Sequence, residues 1–162
     1  MSHSLSLFDK EAKQVSIPCY SIKLVKESVV IYDHKRINGA RMVSDLLMGI
    51  GLHEKACEEF YALYLNTKNE VIGIQMISRG TLNASLVHPR EVFKGALLAN
   101  ASCLILAHNH PSGDPQPSSA DKIVTESLVS AGKLLDVNIL DHVIVGSTGE
   151  FFSFRDSSLI AS

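Results

Sequence analysis

The sequence predicts a three-layer α/β fold, with helices on both faces of a mixed β-sheet. Three observations lead there. Cys103-Leu104-Ile105-Leu106-Ala107 is continuously apolar, as a central strand covered on both faces requires. Stretches of helical period lie between some strand-like runs. Other strand-like runs follow one another across short turns, so crossovers and hairpins share one sheet. The chain's 162 residues suit one domain with one sizeable core.

Taken in order, residues 1–27 read as a polar, weakly periodic N-terminal arm, although Tyr20 to Val25 and Ser28 to Tyr32 are β-like runs. Val43, Leu46, Leu47 and Ile50 recur at helical spacing, predicting an amphipathic helix over 38–50 that ends near Gly49 or Gly51. A strand from Glu58 to Asn66 and its return from Val71 to Ser78 form a hairpin across Thr67-Lys68-Asn69-Glu70. Residues 83–88 read as a short strand. Pro89 suits a first helical position, and Val92, Phe93, Ala96 and Leu97 line one face of a helix to Asn100. After the central strand comes a loop at 111–117 stiffened by three prolines. The next helix takes Ala120, Ile123, Val124, Ser127, Leu128, Ala131 and Leu135 as its inner face. Strands near 137–145 and 151–155 complete a domain over 28–155, followed by a tail at 156–162.

Composition narrows the function classes. Hydrophobic residues make up 46% and charged residues 20%, an ordinary globular balance. The net charge of -2 lacks the positive sign that favours phosphate binding. The three cysteines, Cys19, Cys57 and Cys103, fit neither a disulfide framework nor a zinc-finger spacing. They point to a reducing compartment and a cytoplasmic location. The N-terminus lacks the basic and apolar segments of a signal peptide, and no run approaches the length of a membrane helix. The sequons at Asn83 and Asn100 are therefore expected to be idle. No phosphate-binding glycine loop or dinucleotide fingerprint is present.

The chemistry concentrates at His108-Asn109-His110-Pro111 and Ser118-Ser119-Ala120-Asp121. Histidines two residues apart project the same way from an extended strand end. Asp121 follows on the first turn of a helix. Two imidazoles and one carboxylate are the ligand set of a catalytic zinc, which keeps a fourth position open for water. Ser118 to Asp121 alone also reads as a capping box, which needs no metal. The two histidines upstream make the combined spacing far more specific.

That spacing, His108 through Ser118 to Asp121, resembles the JAMM motif of the JAB/MPN metalloprotease superfamily. His-Asn-His-Pro-Ser-Gly-Asp-Pro, together with Val87-His88-Pro89-Arg90-Glu91-Val92-Phe93 and Leu140-Asp141-His142-Val143-Ile144-Val145, is similar to the RadC branch. The resemblance covers residues 28–155 and implies a JAB/MPN fold, cytidine-deaminase-like. It also implies a hydrolase holding one Zn²⁺ ion on His108, His110 and Asp121, with a protein or peptide substrate. It supplies a general base too: Glu58-Glu59-Phe60 before an apolar strand lines up with the family's Glu-x-Phe, which gives Glu58 the catalytic position. Periodicity alone leaves Glu58 and Glu59 open, because both faces of that strand are apolar. Ser118 would hydrogen-bond the oxyanion or the attacking water. Asp141 and His142 are candidates to orient a ligand.

Three departures bear on function. JAMM deubiquitinases place Ser or Thr between the histidines, where this chain has Asn109, and the chain leaves no room for ubiquitin-gripping insertions. Longer RadC proteins carry a helix-hairpin-helix-like segment before the JAB domain. Here only 38–50 with Gly49-Ile50-Gly51 would correspond, so DNA binding is expected to be weak or missing. The alternative function is a DNA-associated module with a structural or vestigial metal site, which the charge disfavours. A zinc deaminase is disfavoured because no His-x-Glu with a later Pro-Cys-x-x-Cys occurs. His88 reads as a turn residue, His3, His34 and His53 as surface residues, and Arg79-Gly80-Thr81 as a turn.

Overall fold

A computed structural model describes residues 16–34, 36–80 and 87–160. Its elements are α1 (Ala40–Gly49), a 3-10 turn (Leu52–Glu54), β1 (Glu59–Leu65), β2 (Val71–Arg79), α2 (Pro89–Leu98), β3 (Cys103–Asn109), α3 (Ser119–Leu135), β4 (Asn138–Val145) and β5 (Phe151–Ser153). The strands form one sheet in the order β2-β1-β3-β4-β5. β1 runs antiparallel to both β2 and β3, β3 runs parallel to β4 through the α3 crossover, and β4 is antiparallel to β5. The expected mixed sheet with helices on both faces is therefore the observed one.

Side-chain alternation sorts the core into two halves. Phe60, Ala62, Tyr64, Leu104 and Leu106 pack with Val92, Phe93 and Ala96 of α2 and Val124 and Leu128 of α3. Leu63, Leu65, Cys103, Ile105 and Ala107 pack on the other face with Val43, Leu46 and Leu47 of α1. Each fully buried Leu or Phe contributes roughly 1.5–3 kcal/mol, so β1 and β3, apolar on both faces, anchor the domain. The parity extends past the apolar run. His108 continues the row of Leu104 and Leu106 toward α3, while Asn109 continues the row of Ile105 and Ala107 toward the α1 side.

Three expectations change. Tyr20 to Val25 and Ser28 to Tyr32 form no strands, and Ile22 and Ile31 stand 71% and 93% exposed. A strand needs a partner edge, and among the described residues the ladder contact nearby is the isolated bridge Arg36–Glu70. The inner stripe of α3 is rotated from the one expected. Asp121, Val124, Thr125, Leu128 and Gly132 are buried, whereas Ile123, Ser127 and Leu135 are exposed. Polar Asp121 and Thr125 belong to the buried stripe because they have partners inside, which hydrophobic periodicity does not see. β5 ends at Ser153: Phe154 N–H still bonds the His142 carbonyl in register, and the pairing stops beyond it, where Arg155 N–H turns to Asp141 Oδ1 and Asp156 N–H to Ser153 Oγ. The strand expected over 83–88 lies, up to residue 86, outside the described residues. At the C-terminal end, Ile160 packs into the α3-side core.

Candidate metal centre

β3 delivers His108, buried, and the chain leaves the sheet at His110, whose N–H still bonds the Val145 carbonyl at 3.0 Å. The following loop turns at Gly113, with φ 91°, and passes so close to β4 that a Cβ on Gly146 would meet the Gly113 carbonyl at 2.2 Å. Glycine is needed at both positions for the loop to close down on the strand end. It returns the chain at Ser118, the N-cap of α3. Ser118 Oγ accepts from Asp121 N–H at 3.2 Å, and Asp121 Oδ2 accepts from Ser118 N–H at 2.7 Å and Ser118 Oγ–H at 2.6 Å. The capping box is real, and it turns the Asp121 carboxylate inward, with Oδ1 toward His108 and Oδ2 toward His110.

There the three side chains converge. His108 Nε2 lies 3.0 Å from His110 Nε2 and 3.3 Å from Asp121 Oδ1, and His110 Nε2 lies 3.5 Å from Asp121 Oδ2. The two histidines meet different oxygens of the Asp121 carboxylate, and with one ligand atom taken from each residue all three lie within 4.8 Å of one another, close enough to share one ion. The group could hold a metal ion.

The hydrogen bonds behind the triangle fix which ring nitrogens carry lone pairs. Thr125 Oγ1 donates to the Asp121 carbonyl at 2.6 Å, so it accepts from His142 Nδ1–H, also at 2.6 Å. His142 Nε2 is then the acceptor for His108 Nδ1–H at 2.8 Å. That leaves the His108 Nε2 lone pair pointing into the triangle. His110 Nδ1–H donates to the Asp114 carbonyl at 2.8 Å, which turns His110 Nε2 inward likewise. Metal-binding histidines are oriented in this way by their outer partners.

Burial pushes the His142 and His108 pKa values down, which favours neutral rings. Hydrogen bonding to Asp121 raises that of His110. Asp121 is pushed up by burial, but its bonds to His108 and His110 outweigh this and hold it well below the usual carboxylate range.

Glu58, just before β1, and Glu59, its first residue, differ in parity and so fall on opposite faces. Glu58 shares the parity of Phe60, whose ring stacks on His108. Its charge raises the pKa of both His108 and His110, as expected of a carboxylate beside them. Glu59 is buried at 1% exposure on the other face, held by Arg79 at 2.7 Å and Tyr61 Oη–H at 2.8 Å. The hydroxyl proton of Ser118 goes to Asp121. His142 sits directly behind His108. Asp141 touches no ligand ring; it accepts from Ser153 Oγ–H, His142 N–H and Arg155 N–H, and so fixes the backbone that carries His142. Thr125 escaped the sequence reading, although its place one helical turn after Asp121 puts the two on one face. Asn109 entered there only as a departure from a motif.

The class is thus a mixed α/β domain with a His-His-Asp group that could hold a metal ion at the end of its central strand. The model of the RadC-like JAB domain matches residues 37–159, and the chain belongs to that family. It is 47% identical over 127 residues to a UPF0758 protein of Pelodictyon phaeoclathratiforme, covering 78% of this chain and 56% of that one. With a UPF0758 protein of Methanosarcina acetivorans it shares 51% over 114 residues, covering 70% and 49%. With UPF0758 protein STH371 of Symbiobacterium thermophilum it shares 52% over 103 residues, covering 64% and 44%. The chain spans about half the length of the curated relatives it matches. Among the described residues no helix is long and apolar enough to cross a membrane.

Proposed function

We propose that this protein is a zinc-dependent hydrolase of the JAMM type, a metallopeptidase that cleaves a peptide or isopeptide amide. The observation that carries the reading is the convergence of His108 Nε2, His110 Nε2 and the Asp121 carboxylate, with Glu58 sharing the strand parity of Phe60 on that face. One zinc ion held there would lower the pKa of a coordinated water to about 7 and polarise a carbonyl. Borderline imidazole ligands with a single carboxylate favour zinc over magnesium or calcium, which prefer all-oxygen sites. Glu58 takes the proton of the attacking water and hands it to the leaving amine. Ser118 orients Asp121 in the resting site. When Asp121 shares its charge with a cation, the Ser118 hydroxyl is free to turn to the oxyanion. His142 and Thr125 hold the His108 tautomer, and Asp141 acts further back through the His142 backbone. The free thiols Cys19, Cys57 and Cys103 suit a reducing, cytoplasmic setting. The catalytic unit is taken as 28–155, between an N-terminal arm and a short tail.

A peptide and isopeptide library screened with zinc-loaded protein tests this reading. Cleavage that disappears in Glu58→Gln, while that variant still binds zinc, is the expected result. Zinc binding without Glu58-dependent cleavage of any amide would overturn the peptidase assignment and leave a metal-binding domain.

A further inference from the structure

Asn109 stands between the two metal-ligand histidines and points to the opposite face. It is 1% exposed, and its whole amide is engaged. Oδ1 accepts from Glu59 N–H at 2.8 Å, and Nδ2 donates to the carbonyls of Cys57 at 3.1 Å and Lys55 at 3.3 Å. The Cys57 carbonyl belongs to the peptide before the Glu58 Cα, and the Glu59 N–H to the peptide after it. One side chain therefore grips both peptide planes that set φ and ψ of Glu58. Gly80 N–H adds a bond to the Glu58 carbonyl at 2.9 Å. Glu58 precedes β1, so these bonds hold its backbone just outside the strand.

We infer that Asn109 is a positioning residue: it aims the Glu58 carboxylate at the metal site and locks that aim to the ligands on either side of it in sequence. The inference rests on the proposed role of Glu58. Only a planar side chain with two donors and an acceptor fits these three partners. Aspartate would face two carbonyls without a donor, and serine is too short to span them. A base misplaced by about 1 Å can lose a hundredfold in rate, so such a clamp has a clear catalytic use.

The test compares Asn109→Leu, and the milder Asn109→Ser should the first fail to fold, in the native and the Glu58→Gln backgrounds. Three quantities are read: cobalt affinity by calorimetry, the pH midpoint of the visible spectrum of cobalt-loaded protein, and hydrogen exchange at the Glu59 amide. The Glu59 amide should exchange at least about tenfold faster in either Asn109 variant. Cobalt affinity should stay within about threefold, since the ligands and their outer partners are untouched. The midpoint should shift in the direction that Glu58→Gln shifts it, by at least about half as much, and Asn109→Leu should add nothing on top of Glu58→Gln. An unchanged midpoint, or an equal shift in both backgrounds, would overturn the positioning role alone. The absence of any cobalt spectrum in the unmutated chain would overturn the metal reading and this role with it.

Discussion

The two faces of the β3 terminus differ in what they do with consecutive residues. On the α3 side, His108 and His110 meet Asp121, backed by His142 and Thr125, and their bonds leave lone pairs turned toward an open centre. On the α1 side, Asn109 makes three bonds onto the backbone around Glu58. One face is a polar network that could hold a cation, and the other is a backbone clamp. Strand alternation alone divides the roles. A functional site can thus be read from which polar groups are left facing one another, as much as from which residues are present.

The largest effect that separates the faces should come from Asp121→Asn. Metal affinity is expected to fall by more than about a hundredfold, beyond the range seen for outer-partner losses, while exchange at the Glu59 amide stays unchanged. Calorimetry and exchange mass spectrometry on one sample check both halves. Thr125→Val should come next. It leaves His142 Nδ1–H buried without its partner, costing about 1–3 kcal/mol of stability, and weakens metal binding by roughly 10–100-fold by releasing the His108 tautomer.

The pH response of the metal-free protein gives a third test. His142 and His108 have folded pKa values below their ordinary 6.5, so below that pH the unfolded chain binds protons that the folded chain refuses. Their contribution is present above 6.5 and is lost as pH falls, at up to about 1.4 kcal/mol per pH unit for each. His110, raised by Asp121, has the opposite sign: its contribution is full below 6.5 and is lost as pH rises through its folded value. Two groups against one predict lower stability at pH 5.5 than at 7.5 in urea unfolding with chelator present. The smallest effect belongs far from either face. Ile31→Asp in the exposed segment should change stability by no more than about 0.5 kcal/mol in the same assay.

The same contrast marks what the sequence could tell. The apolar run 103–107 and the His-x-His and Ser-x-x-Asp spacings carry their chemistry in the residue types themselves, so the central strand, the hairpin and the ligand triangle were legible. Tyr20 to Tyr32 looked equally β-prone, but no edge pairs with it in the described structure, and pairing is a property of the partner as much as of the segment. The α3 stripe was misread because Asp121 and Thr125 are buried for their hydrogen bonds, against their hydropathy. Which glutamate shares the histidine side of the strand needed the parity of Phe60 and the Arg79 partner of Glu59 across the strand pair, neither of which a doubly apolar strand reveals.

The most direct measurement is a calorimetric zinc titration of metal-stripped protein beside His110→Ala. One tight site, with about one proton released on binding and the site lost in the variant, is the predicted result. No binding by the unmutated chain would contradict the account and reduce Ser118 and Asp121 to the cap of a helix.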